Sequence, residues 1–536
     1  MPRSRRLFRT AALALCFASA CTDDVVGSDD GESGESSSND ESGDTDEVPA
    51  ELGGPAQGVT ITSVEVNQGT GVEIIRDGQL VPLEQRNAKL IRSRDTLVRV
   101  HHRIDDAAAW IPRELTGILH IAPPDGPELV RTRTFVVDAD SDPRKLGSSF
   151  YFSLLADEAL PGTTIWIELR ETDANLDVSS LSPGLSTTEV AAFEFEDTPL
   201  ELHVVLIPVR YEYLDPPREP DITQEDLALF HDFLLQQNPV QNVRLEVRAE
   251  PIVRTEQLSN LGSLLAPTRE AKLQDGAGPN VYYHALVDVG GPSVNQVGGI
   301  AMLTDASKEE SGDRVAATVY HKHVDIPDED EEDQTPKVFP PTGSARTFVH
   351  EVGHNQGFSH IACPNADAAG PDPSYPHADG KIGAYGFGIR DFHIYTPSAS
   401  HDYMTYCGNS WVSDWTWDKA FTRIQILTSW NGEQAGPAPT PTPVLVGLRS
   451  ADGHEEWSIS LGIAPTAASS DARIEYAIDG ALAASVPAKI DLLSDDATVL
   501  ITAPLPIPLA EVDGVTWLHT GQRRVIDRAR IQAASR

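Results

Sequence analysis

One eleven-residue stretch carries chemistry: His350-Glu351-Val352-Gly353-His354-Asn355-Gln356-Gly357-Phe358-Ser359-His360. Residues four apart share one face of an α-helix, so a helix here directs His350 and His354 at one point. His360 is out of reach if that helix simply continues. Gly357 resolves the difficulty, because glycine can take positive φ, end the helix and turn the chain back. Three imidazoles suit a tetrahedral zinc ion and leave its fourth position open to water, the mark of a catalytic rather than a structural site. Glu351 adjoins the first ligand, where its carboxylate can take a proton from that water. The expected chemistry is therefore hydrolysis, with Zn2+ held by His350, His354 and His360 and with Glu351 as general base. The competing reading is a polar surface helix.

The spacing His350-Glu351-x-x-His354-x-x-Gly357-x-x-His360 resembles the zinc signature of the metzincin metallopeptidases. Metzincins also carry a methionine turn beneath the metal, and Asp402-Tyr403-Met404-Thr405-Tyr406-Cys407 looks like one. Met404 is one of three methionines in the chain, with Met1 and Met302. The resemblance further implies that Tyr406, two residues on, touches the metal or the reacting oxyanion, as a tyrosine does in some metzincin families. The wider segment, through Trp411-Val412-Ser413-Asp414-Trp415-Thr416-Trp417, looks similar to bacterial secreted metzincins of the mucin-cleaving type. The resemblance spans roughly residues 340–420. It implies an endopeptidase acting on extracellular proteins or glycoproteins. The tryptophans either line a substrate groove or serve as core.

Elements around the motif must position it. Over 57–198, short strand-like runs alternate with turns: Val59–Val66, Thr96–His102, Val130–Val137, Phe150–Leu155, Thr164–Leu169 and Val190–Phe195. Many short strands of this kind predict an antiparallel sandwich. Over 199–436 the pattern changes to an apolar strand at Leu202–Val209, a helix at Thr223–Gln237 and strands near Val243–Val247, Val281–Val289 and Arg314–Tyr320. That order predicts a mixed α/β domain. A Pro-rich linker at 437–443 leads to further short strands over 444–536, among them Trp457–Leu461 and Ala472–Ile478. The expected architecture is multidomain, an α/β metzincin catalytic domain flanked by an N-terminal β-sandwich and a small C-terminal β-domain. Gly299, Ile300 and Ala301 are candidates for an edge strand that pairs with an extended peptide, against a plain strand end. The run Asp328-Glu329-Asp330-Glu331-Glu332-Asp333 reads as a calcium site or a solvated loop. His321, His323, His377, His393 and His401 receive no role.

The first twenty-one residues read as a signal peptide, with Arg3, Arg5, Arg6 and Arg9 before the apolar run Ala11–Ala18. Ala18-Ser19-Ala20-Cys21 resembles a bacterial lipobox, although a larger aliphatic residue is usual where Ala18 stands. Residues 22–56 are nearly all small, acidic or hydroxylated and predict a disordered acidic tether. Of four cysteines, Cys16 leaves with the signal and Cys21 takes lipid, which leaves Cys363 and Cys407 as one pair in an oxidising compartment. The expected place is the bacterial cell envelope, lipid-anchored, or the medium. A net charge of −40 argues against nucleic acid as a partner, and the membrane is met through the anchor only. The alternative function is a non-catalytic, glycoprotein-binding surface lipoprotein with a vestigial zinc site; a zinc hydrolase of a non-peptide bond is a third. If Cys21 is the lipidated first residue, the mature protein partitions into detergent and carries acyl mass by mass spectrometry. Unmodified protein in the medium, indistinguishable from a Cys21→Ser variant, would rule the anchor out.

Overall fold

In the computed structural model, the apolar run at Leu202–Val209 lies within the strand Glu201–Tyr211 of a mixed sheet. Asn242–Val247, Ile252–Arg254 and Val281–Val287 run parallel to that strand, and Val315–Val319 runs parallel to Val281–Val287. Gly299–Ala301 closes one edge, antiparallel to Val315–Val319. The structure describes residues 51–325, 337–364, 366, 368, 370–432, 440–465, 469 and 471–532. Cys21, the signal segment and the acidic run 328–333 lie outside them.

Strand side chains alternate between faces, and here the alternation divides the core in two. Leu202, Val204, Leu206, Tyr282 and Leu286 join one apolar cluster with Phe230, Phe348 and Met404. Val205, Ile207, Val209, Tyr283 and Ala285 join another with Leu264 and Leu265. Helices α1 (Gln224–Gln237) and α3 (Thr342–Asn355) thus cover one face of the sheet, and α2 (Leu265–Gln274) the other. A fourth helix, α4 (Asp414–Thr428), also packs on the α1 and α3 side. The start of α1 is a capping box. The Thr223 hydroxyl accepts the Asp226 N–H at 3.2 Å, and the Asp226 carboxylate accepts the Thr223 N–H at 2.8 Å. Helices α2 and α4 are absent from the sequence reading.

Before this sheet, Gln79–Leu80, Gly71–Arg76, Val59–Asn67, Thr96–Ile104 and Phe150–Leu154 form one antiparallel sheet in that order. Leu129–Val137, Arg113–Ala122, Thr164–Glu171 and Ala191–Ala192 form a second. The Phe135 and Phe150 rings meet between them, 4.6 Å apart. Gly117 leaves the space that the Phe150 ring fills, since a Cβ there would lie 2.5 Å from it. The tether expected to reach residue 56 ends earlier: Gly53 and Ala56 donate to the carbonyls of Glu171 and Leu169. The strand expected at Val190–Phe195 shrinks to Ala191–Ala192.

After α4, the strand Thr442–Arg449 begins inside the expected linker. It pairs with Glu455–Gly462 and Val499–Pro504, and a second sheet is built on Arg473–Ile478 and Gly514–His519. Trp457, Tyr476, Ile501 and Trp517 fill the space between these sheets. Val444, Val446, Leu448, Leu493 and Leu500 face the other way, into the α2 side of the central sheet. The described residues thus make a β-rich body of several sheets and four α-helices, packed as one compact unit.

Arg94 ties the first sheet to α1. Its guanidinium is buried and donates to the carbonyls of Gln68, Leu235, Gln236, Asn238 and Val240, the last four at or beyond the end of α1. A cation suits the negative end of a helix. Burial lowers its pKa to about 9, which still leaves it charged at neutral pH. Arg94→Met strands buried carbonyls, each worth about 1–3 kcal/mol. Denaturant titration should show a loss of at least about 3 kcal/mol; a change under about 1 kcal/mol would mean that Arg94 is not the tie.

Candidate metal centre

Helix α3 carries its histidines on a helix held firmly on the opposite side. Ala345, Phe348, Val349 and Val352 recur at helical spacing and pack into the core. The Asn355 amide donates to the carbonyls of Met302 at 2.8 Å and Val315 at 3.0 Å, which pins the helix end to the sheet. The helix then closes in a Schellman motif: the Phe358 N–H donates to Gly353 O at 3.1 Å and the Gly357 N–H to His354 O at 2.8 Å. Gly357 takes φ of +87°, as its place in the motif requires. A Cβ there would also lie 2.6 Å from the carbonyl oxygen of Thr304.

This turn brings His360 back to the helix face. The Nε2 atoms of His350 and His354 are 3.0 Å apart, and those of His354 and His360 are 3.1 Å apart. Ligand atoms of all three histidines lie within 4.8 Å of one another. Two imidazole nitrogens on one tetrahedral zinc would be about 3.3 Å apart. His350 Nδ1 lies 2.8 Å from Tyr403 O, and His354 Nδ1 lies 2.7 Å from Phe358 O. Each Nδ1–H must donate to its carbonyl, so each neutral ring directs a lone pair from Nε2 toward the other. Such an arrangement could hold a cation between them, with backbone carbonyls orienting the two rings. Burial holds His350 down to about 4 and His354 well below the ordinary histidine value, so both rings are neutral.

Glu351 is buried beside them, and burial pushes its carboxyl well above the usual range. It rests against the edge strand: a Cβ on Gly299 would lie 2.6 Å from its Oε1. Met404 is fully buried under the helix, where Gly353 leaves room for it; a Cβ on Gly353 would meet its sulfur at 2.5 Å. The turn is anchored by Asp402, whose buried carboxylate accepts from the N–H groups of Met404 and Ser413 and from the Thr416 hydroxyl at 2.6 Å. Ser413 caps α4, so one carboxylate joins the methionine turn to that helix. Tyr406 is half-exposed, its ring 4.6 Å from that of His360. Cys363 and Cys407 form a disulfide with Cα atoms 6.3 Å apart. It closes a span of 44 residues, worth about 4 kcal/mol in the chain-entropy model. Trp411 and Trp417 are buried and Trp415 is partly buried against the core, so core packing rather than a groove accounts for them.

The edge strand differs from expectation. Ile300 pairs inward with Ala317, and both outward main-chain groups of Ala301 are taken by Ser494. The Ala301 N–H donates to Ser494 Oγ at 2.9 Å, and the Ser494 N–H to Ala301 O at 3.0 Å. Ala301 is therefore withdrawn as a place for peptide to pair, and Gly299 is the position left beside Glu351. Ser494 also reaches Glu351 itself, donating to Oε2 at 3.3 Å. Ser494 carried no signal in the sequence, and Asp402 appeared there only as the first residue of the segment around Met404.

No protein-family model matches the chain, and no curated protein matches it. Among solved structures the chain is similar to a Paenibacillus sp. cycloisomaltooligosaccharide glucanotransferase, with 11% identity over 56% of this chain and 36% of that one, at a TM-score of 0.15. A putative β-galactosidase from Bacteroides fragilis is 11% identical over 89% of this chain and 74% of its own, at 0.15. A calcium-binding mutant of Bacteroides uniformis β-glucuronidase 2 is 9% identical over 88% and 60%, at 0.13. The chain spans little more than a third of the glucanotransferase chain, 36%. Superpositions this weak inform neither fold nor chemistry.

Gly357→Ala tests the closure. The left-handed conformation costs a side chain about 1–2 kcal/mol, and the Thr304 carbonyl is in the way. Unfolding should lose at least that much, and if the three histidines hold zinc, its content should fall well below that of the unaltered chain while α3 persists in circular dichroism. A variant with unchanged zinc content would show that Gly357 does not place His360.

Proposed function

We propose that this chain is a zinc-dependent endopeptidase that hydrolyses peptide bonds of extracellular proteins or glycoproteins. The observation that carries the reading is the convergence of three imidazole Nε2 atoms beside a buried carboxylate. His350, His354 and His360 would hold the zinc. When bound, zinc supplies a Lewis acid that makes water more acidic and polarises the scissile carbonyl. Glu351 accepts the proton of the attacking water and passes it to the leaving amine. Gly299 offers main-chain groups next to Glu351, so an extended peptide laid there would bring its carbonyl to the base. Tyr406, beside the His360 ring, is the candidate donor to the reacting carbonyl oxygen.

The mixed sheet with α1 and α3 on one face, the turn at Met404 and the flanking antiparallel sheets support a metzincin catalytic domain over 199–436. In that reading, 57–198 is its β-sandwich partner and 444–536 its C-terminal β-domain. The signal-like segment and Cys21 support export to the cell envelope with a lipid anchor.

Glu351→Gln removes the base and leaves every ligand. It should retain about one zinc and lose turnover of casein or a mucin-like glycoprotein by roughly 100- to 10,000-fold. His354→Ala should lose metal and activity together. Zinc by elemental analysis and cleavage by electrophoresis, on wild type and both variants, decide the matter. Full-rate cleavage by Glu351→Gln would refute the mechanism, and wild-type protein that holds zinc but cuts neither substrate would favour a surface binding module.

A further inference from the structure

Ser494 belongs to the C-terminal sheets, 143 residues beyond Glu351 in sequence, yet its hydroxyl ends at that carboxylate. The hydroxyl has one proton to give. Its lone pair takes the Ala301 N–H at 2.9 Å, which leaves the proton directed to Glu351 Oε2 at 3.3 Å. The serine cannot drift, because the turn that carries it is closed on itself. Leu493 N–H donates to Thr498 O at 2.9 Å, Asp496 N–H to Leu493 O at 3.0 Å, and Thr498 N–H to the Asp495 carboxylate at 2.8 Å. Leu493 itself is fully buried among Val444, Leu448 and Leu500, and forms a bridge to Met302. The turn is thus rooted in the apolar contact between the C-terminal sheet and the central sheet.

On the other side of the carboxylate stands Gly299 of the edge strand, close enough that a side chain there would collide with Oε1. Glu351 is therefore held between two fixed objects, the strand at Gly299 and the hydroxyl of Ser494. We infer that Ser494 is a positioning residue for Glu351, and that the C-terminal sheets complete the hydrolytic site rather than trail behind it. The inference rests on the hydrolase reading of that site. Ser494 touches no metal ligand in the structure and takes no proton in the reaction; it sets the direction in which the carboxylate faces the attacking water. A carboxylate free to turn would still bind substrate as before but would meet the water in productive geometry less often. The signature is a lower kcat at constant KM.

The test uses the full exported chain with Ser494→Ala and Ser494→Thr, the second of which keeps the hydroxyl. Expected is a kcat for Ser494→Ala reduced tenfold or more, KM within twofold of wild type, full zinc content, and recovery to within about threefold in Ser494→Thr. Wild-type kcat in Ser494→Ala would overturn the inference. So would a loss of zinc or a collapse of folding that accounts for the lost activity, since the serine would then be merely structural. A second readout needs no turnover. In protein loaded with Co2+ in place of zinc, Ser494→Ala should move the visible absorption band in the same direction as Glu351→Gln. An unmoved band overturns the inference even if the wild type cleaves nothing, whereas a moved band in an inactive wild type would retain Ser494 as the holder of Glu351 and reject only the peptidase reading.

Discussion

At Gly357 the backbone adopts φ of +87° and the chain reverses, and the third imidazole of the centre depends on that reversal. A helix alone brings two imidazoles to one point. A glycine returns the third without the strain that a Cβ would meet at this φ and against the Thr304 carbonyl, and the turn is held by its own hydrogen bonds. The Schellman closure from Phe358 and Gly357 back to α3 supplies those bonds. It also leaves Phe358 O aimed at His354 Nδ1, so the same turn that returns His360 fixes the tautomer of its neighbour. Within these eleven residues the backbone sets the convergence of the three imidazoles and the tautomer of His354, while the Tyr403 carbonyl sets that of His350.

The rest of the molecule holds this unit in place from three sides. Beneath it, the buried Asp402 carboxylate gathers the methionine turn and the start of α4, while the Tyr403 carbonyl orients His350. The Cys363–Cys407 disulfide joins the strand of chain leaving His360 to the same turn. From the N-terminal sheets, Arg94 caps the end of α1, which packs against α3 through Phe230 and Phe348 at 5.2 Å. From the C-terminal sheets, Leu493 and Ser494 cover the outer edge at Ala301 and reach Glu351. Buried polar groups do the joining at each of these contacts, and each has partners from more than one region.

The sequence made the centre legible because its information there is local. Helical spacing places His350 and His354, and one glycine explains His360; both arguments use residues within a single stretch. The strands Glu201–Tyr211, Val281–Val287 and Val315–Val319 were legible for a similar reason, as continuous apolar runs buried on both faces. Helices α2 and α4 were not. The α4 sequence is crowded with tryptophan and threonine near its start, which mask its period, and α2 is short and polar on average. Arg113–Ala122 and Gly71–Arg76 were missed although each forms a hairpin with a neighbouring strand, because neither run is marked by clean alternation of apolar and polar residues. The contact of Ser494 with Glu351 had no sequence signal at all, since nothing near residue 494 marks a site and the contact exists only once two regions have packed. Ala301 was misassigned on the same ground: an edge strand is visible in sequence, but what covers the edge is not.

The central claim is that three imidazoles and no other side chain hold one zinc at this point. X-ray absorption at the zinc edge, on protein loaded with one equivalent of metal, tests it most directly. The account predicts four-coordinate zinc with three imidazole nitrogens and one oxygen at about 2.0–2.1 Å, and one imidazole fewer in His360→Ala. Zinc bound by sulfur, a six-coordinate oxygen shell, or a spectrum unchanged by His360→Ala would contradict it.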